Sequence, residues 1–295
     1  MAYRLKRKKS IQHNLQRIAQ EQIDRAIIEI TDPELESHKA VHQVRKRCKK
    51  LRGLIRLVRP SFGDYAFENA FLRDTARNLS GLRDAQTILN TFKKLAQQME
   101  QPLDTSLQVT ITDRLEQRRQ DTTYRHLEME SRLARFAERM QLLQHRVNDW
   151  QLDKSGFRAV KKGLIITYGR GRKAIRKAYT KPSTARFHEW RKLVKYHWYH
   201  ARLLQPIWPL MMDVEIVAAD ELSDLLGDEH DLAVLSDTLK DEGALFSSPE
   251  QMASIIAVIT QQRTQLQQQC LPLGKRLFAE KPKHLARRLH AYWKS

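Results

Sequence analysis

His42, Arg45, Lys49, Arg52 and Arg56 follow one another at three- and four-residue spacing, with Lys46 beside them. At about 100° per residue, such spacing puts side chains on one face of an α-helix. The row holds forked guanidinium groups, compact ammonium groups and one imidazole. That set suits phosphate oxygens: Arg grips them bidentately, Lys offers a point charge, and His gains charge beside an anion. From Val41 to Pro60 there is no acidic residue. A solvated helix face normally mixes signs, because like charges four residues apart repel by a few tenths of a kcal/mol per pair. An unrelieved row is therefore expected to meet a polyanion. Residues 42 to 56 span about 21 Å at 1.5 Å per residue, which suits an extended polymer better than one phosphate group.

Two other chemistries fit less well. His38 and His42 stand four apart, the geometry of two metal ligands, but no carboxylate joins them at a matching position, so no metal is expected. An enzyme working through phosphohistidine at His42 or His188 would need a glycine loop or an acidic metal cluster, and the sequence shows neither. A non-catalytic protein without a cofactor is expected.

The row recurs. Shifted by 146 residues, His42 falls on His188, Arg45 on Arg191, Lys46 on Lys192, Lys49 on Lys195 and Arg56 on Arg202. Trp198 stands where Arg52 stood, with Tyr199 next to it. Apolar positions register too, giving a stripe at 41-44-48-51-55-58 and its copy at 187-190-194-197-201-204. Each stripe should pack, with the basic row turned roughly 115° away from it. A second motif follows in each half, Asn78 to Asp84 and Asp224 to Asp231; the two aspartates are expected to pair with a base or cap a helix. Two motifs in the same order at nearly the same offset imply a duplicated helical unit with a joint near 150–156. The expected division is 1–152 and 153–295.

A third basic cluster, GLIITYGRGRKAIRKA, supplies Tyr168, Arg170, Arg172 and Lys173. Its glycine spacing is not that of a P-loop.

The elements that position these groups must be helices. Among 295 residues there are only ten Gly and nine Pro, and apolar residues recur at helical period. Breaks are expected at 31–38, 59–65, 101–106, 153–157, 180–184, 205–209, 247–250, 271–274 and 280–284. The charged stretch Thr105–Trp150 reads as one or two exposed helices, in the manner of an antiparallel hairpin. The net charge of +19 points to a polyanionic partner. Two cysteines give no disulfide framework or zinc site, as expected of a reducing compartment. The basic N-terminus lacks a following apolar run and no stretch is long enough to span a bilayer, so a soluble, cytoplasmic protein without membrane contact is expected.

The set HQVRKRCKKLR, LSGLRDAQ, LIITYGRGRKA, HEWRKLVKY, LLGDEHDLAVL and FAEKPKHLARRL resembles the conserved histidine α-helical domain, or CHAD, family, over essentially the whole chain. The resemblance implies an all-α fold of two four-helix bundles related by a pseudo-twofold axis. It implies binding of inorganic polyphosphate in a basic central groove or pore, without chemistry of its own, and polyphosphate granules as a candidate location. The implied binding residues are His42, Arg45, Lys46, Lys49, Arg52 and Arg56, then His188, Arg191, Lys192, Lys195 and Arg202, with Tyr168, Arg170, Arg172 and Lys173 at the rim. Nucleic acid is the alternative polyanion, with Trp198 and Tyr199 as stacking platforms.

Overall fold

The computed structural model describes residues 3–79, 81–98, 104–123, 126–242 and 248–295; the side chains of 81–84 and 122–128 lie outside the described residues. The described residues form α-helices and two short 3-10 turns. The helices are α1 (Ile11–Thr31), α2 (Ser37–Val58), α3 (Tyr65–Arg77), α4 (Gly81–Gln98), α5 (Thr105–Thr123) and α6 (His126–Val147). They continue as α7 (Gly156–Thr180), α8 (Thr184–Leu204), α9 (Pro209–Asp241), α10 (Pro249–Leu277) and α11 (Pro282–Lys294).

Local chemistry sets many of these ends. Ser10, Ser183 and Ser248 accept the backbone N–H of His13, Arg186 and Gln251, and so cap α1, α8 and α10. Pro209, Pro249 and Pro282 begin α9, α10 and α11, where a missing N–H costs nothing. At the joint, Gly156 takes a positive φ of 56°. One expected break is absent: α10 runs through Pro272. One break was not expected: α3 ends at Arg77 and α4 begins at Gly81. The expected break at 101–106 falls partly outside the described residues.

The charged stretch after Thr105 is two packed helices rather than an exposed hairpin. α6 buries Phe136, Met140, Leu143 and Val147 against the large core, and α5 lies on α4.

Element order repeats along the chain. The 3-10 turn Arg59–Ser61 has its counterpart at Gln205–Ile207, 146 residues on, and α8 starts and ends where α2 shifted by that amount would, within a residue. The counterpart of α3 plus α4 is the single long helix α9. Each of the two hydrophobic cores draws residues from both sides of residue 152. The larger takes α1, α2 and α6 together with α7, α8 and α11. The smaller joins Ile88, Leu89, Phe92 and Ile111 to Leu232, Leu235, Ile255 and Ile259.

The two halves meet through α2. Its 41-44-48-51-55-58 stripe is fully buried, and so are Leu54 and Leu57 on another face. Each such side chain contributes roughly 1.5–3 kcal/mol of burial energy. α7 comes so close to α2 that a Cβ at Gly163 would lie 1.9 Å from the Leu57 carbonyl oxygen. α8 crosses at Gly53, where a Cβ would meet that of Tyr199 at 2.9 Å. Among the described residues no helix is long and apolar enough to cross a membrane.

Candidate basic groove

With two faces of α2 buried, the third carries the predicted row. His42, Lys46 and Lys49 are exposed, while Arg45, Arg52 and Arg56 are half-buried. Neutral groups meet all three arginines. Arg45 Nη1 donates to the Ala76 carbonyl at 2.8 Å, at the C-terminal end of α3. Arg52 Nε and Arg56 Nη2 both donate to Asn69 Oδ1, at 3.2 and 3.3 Å. The Arg56 guanidinium also lies over the Tyr196 ring of α8, 4.1 Å from its centre. One amide oxygen and one ring thus aim two guanidinium groups without neutralising either.

The matching row on α8 sits in different company. Lys195 Nζ is 3.5 Å from Asp220 and 3.6 Å from Asp224, both on α9. It also stands over the Trp198 ring at 4.4 Å, with Arg202 over the same ring at 4.8 Å. Lys192 pairs with Glu189 one turn back. The His188 ring stacks on His230 of α9, centres 4.3 Å apart. Burial first, then the nearby Lys192 and Arg191, hold His188 below its ordinary pKa. Burial and His188 push His230 down to about 4.

The rows act on one another. α2 and α8 cross at Gly53 and Tyr199, with His200 Nε2 3.1 Å from the Gly53 carbonyl oxygen. Lys49 contributes to the depression of His188. Lys50 is lowered to about 8, by burial above all and then by Arg47 and Arg202. The pairs Arg56–Tyr196 and Lys50–Arg202 exchange places under the 146-residue shift: the first is a ring contact and the second an electrostatic influence across the same crossing.

Several expectations need correction. Tyr168 is not at a rim: it is 2% exposed, its hydroxyl donates to the Leu277 carbonyl and accepts from the Glu280 N–H, and it packs on Phe278 and His197. Tyr199, expected as a stacking platform, sits at the crossing with α2 and is 4% exposed. Trp198 is 9% exposed and covered by two cations, so neither ring is a platform for bases. Arg170 and Lys173 line a shallow cleft with Lys177, Arg186 and Glu189. On α8 that side lies more than about 100° around from the 188-191-195-202 row. Arg172 is half-buried on α7, near Tyr168.

His197, on the packing stripe, faces Glu215 at 3.0 Å, and Glu215 also meets Arg288. Burial acts to raise the Glu215 carboxyl, but His197 and then Arg288 outweigh it and leave it low. Glu229 is buried and salt-bridged to Arg263, which ties α9 to α10. The Asp84 side chain falls outside the described residues; Asp231 is half-buried beside Lys94 and Asp228. Among the described residues no group of three or more His, Cys, Asp or Glu could hold a metal ion.

Residues that sequence reasoning missed are Asn69, Tyr196, Asp220 and Asp224. The 146-residue shift could have flagged one: Asp224 of the second half is Asn78 in the first.

The family model described as CHAD domain matches residues 12–240. No curated protein matches the chain.

Proposed function

The chain belongs to the CHAD domain family, and on that premise we propose that it binds inorganic polyphosphate, without turning it over, along the basic rows of α2 and α8. The observation that carries this reading is the α2 row, whose Arg52 and Arg56 are aimed by a neutral amide where a structural pair would use a carboxylate. A polyanion laid along the row would meet these two guanidinium groups already oriented by Asn69. Binding would rest on several charge-assisted contacts. It should weaken steeply as salt rises, as it does wherever a polyanion releases counterions. Localisation at polyphosphate granules would follow from such binding.

Nucleic acid is the competing polyanion. Its reading relied on Trp198 and Tyr199 as stacking surfaces, and both are buried. What remains for it is charge alone.

The test is a titration with polyphosphates of graded length, followed by competition with RNA and DNA at equal phosphate concentration. Affinity should climb with chain length until the groove is filled, and nucleic acid should compete poorly. Indifference to length, or ready displacement by RNA, would overturn the proposal. Release of orthophosphate by the pure protein would overturn its non-catalytic part.

A further inference from the structure

The outer face of α9 near its N-terminus is apolar and open to solvent. Among the described residues nine large apolar side chains are exposed, and five of them, Trp208, Leu210, Met211, Val214 and Val217, fall within ten positions. Leu210, Val214 and Val217 follow one another at four- and three-residue spacing, so they form one stripe along the helix. Leu210 is 78% exposed and Val214 71%, whereas Met212, on the opposite face of the same turn, is fully buried. Single exposed apolar residues are ordinary, but a contiguous patch marks an interface. Trp208 extends the patch sideways, its ring meeting Tyr292 of α11 edge-on at 4.6 Å. The two ends of the stripe differ in charge. Beyond Val217 the same face continues as Glu221 and Asp224, both exposed. At the other end, Arg4 Nη1 donates to Gln205 Oε1 at 3.4 Å, and Gln205 Nε2 donates to Asp213 Oδ1 at 3.3 Å. Arg4 is exposed, and the exposed cations Lys6, Arg7, Lys8 and Lys9 follow it in the chain.

We propose that this stripe is a self-association surface, on which a second copy of the chain packs its own α9, antiparallel, about a twofold axis near Val214. A twofold axis exchanges the ends of the stripe. Gln205 and Asp224 lie at similar distances to either side of Val214, about 15 Å at 1.5 Å per residue. Arg4, at the Gln205 end of each copy, therefore comes to Glu221 and Asp224 of the other, with the apolar side chains meeting between them. Two chains of net charge +19 repel each other, so approach is easiest where acids gather. α9 carries ten Asp and Glu against one Lys, which makes it the place where a copy can come near. The same acids disfavour an anionic lipid surface. Five apolar side chains and their flanks are fewer than the roughly 20–30 residues a side of a standard interface, so the dimer should be reversible, with a dissociation constant on the order of micromolar. The inference does not rest on polyphosphate binding.

The experiment is sedimentation of the full chain, without any polyanion, from about 1 to 100 μM. The parent should move from one chain mass of 34.7 kDa toward twice that mass as concentration rises. Val214→Glu sets like charges face to face at the axis and should raise the dissociation constant by roughly tenfold or more. Ile28→Glu, at a similarly exposed apolar position on α1, should leave the dimer unchanged. Arg4→Glu should weaken the dimer by roughly threefold, and Arg4→Glu combined with Glu221→Arg should restore it. Melting curves that match the parent's establish that the variants fold. Val214→Ser, which removes apolar area without adding charge, stands in should Val214→Glu not fold, and should weaken the dimer by a few-fold. A parent that stays monomeric to about 100 μM would overturn the inference, and flotation of that monomer with neutral lipid vesicles would assign the patch to a membrane instead. A dimer indifferent to Val214→Glu would overturn it as well. A dimer broken by Val214→Glu but not by Arg4→Glu, or not restored by Glu221→Arg, would overturn the antiparallel register. Because no polyphosphate is present, failure of the proposed groove would leave these results standing.

Discussion

The basic faces of α2 and α8 share a residue pattern but not an electrostatic setting. On α2, Asn69 of α3 orients Arg52 and Arg56 with a neutral oxygen. On α8, Lys195 meets two carboxylates of α9, and Lys192 meets Glu189. His42 at the head of the first row is exposed, whereas His188 at the head of the second is partly buried against His230. A repeated pattern of cations is therefore not a repeated site. The field at a helix surface depends on what the neighbouring helix contributes, and α3 contributes amides where α9 contributes acids. Two guanidinium groups of the first row are oriented by an amide, while two ammonium groups of the second meet carboxylates.

The largest effect that could break this comparison comes from removing two cations from each row. Arg52→Ala with Arg56→Ala should weaken long-chain polyphosphate binding by roughly a hundredfold, two charge-assisted contacts at about 1.5 kcal/mol each or somewhat less. Lys192→Ala with Lys195→Ala should cost only a few-fold, because those cations have partners already. Equal losses in a binding titration would show the two rows to be equivalent.

The next effect concerns stability under acid. His200, held near pKa 3 by burial, and His230, held near 4, are neutral in the native chain. Unfolded histidine titrates near 6.5, so below that pH the unfolded chain binds protons that the native chain refuses. Stability should thus be full above about pH 6.5 and fall as pH drops toward 4. For His200 alone the loss is about 2 kcal/mol at pH 5. Melting curves from pH 7.5 to 5 should show the decline. His230→Asn should flatten it, and a slope left unchanged by that substitution would sink this account.

The smallest effect sharpens the comparison. Asp220→Asn with Asp224→Asn releases Lys195 from its partly exposed ion pairs, each of them weak. Polyphosphate affinity should rise by roughly threefold. No gain would mean that Lys195 does not face the polymer.

The packing stripes were legible from spacing alone. All six residues of the α2 stripe are buried, and all six of its copy, because a 3-4 apolar repeat has one way to leave water on a helix. The acid-free run after Val41 was legible for the same reason: it is a property of neighbours in sequence. Tyr168 was misplaced because its fate rests on Leu277, Phe278 and Glu280, more than a hundred residues away. Pro272 failed to end α10, although proline removes a helix hydrogen bond. Two residues on, α10 presses Gly274 against Trp190 so tightly that a Cβ there would sit 2.5 Å from the ring. Packing of that closeness outweighs local preference.

By itself the sequence determined which residues form helices, which face of α2 and α8 is dry, and which face is positive. Those features follow from the turn of about 100° per residue acting on a one-dimensional pattern. Tertiary structure decided which groups those cations meet. Asn69, Asp220 and Asp224 reach their cations from other helices, and nothing in the local pattern of either row encodes them. It also brought Arg77 to Arg132, Arg135 and Arg139 across more than fifty residues of chain, since only packing of α3 near α6 makes them neighbours.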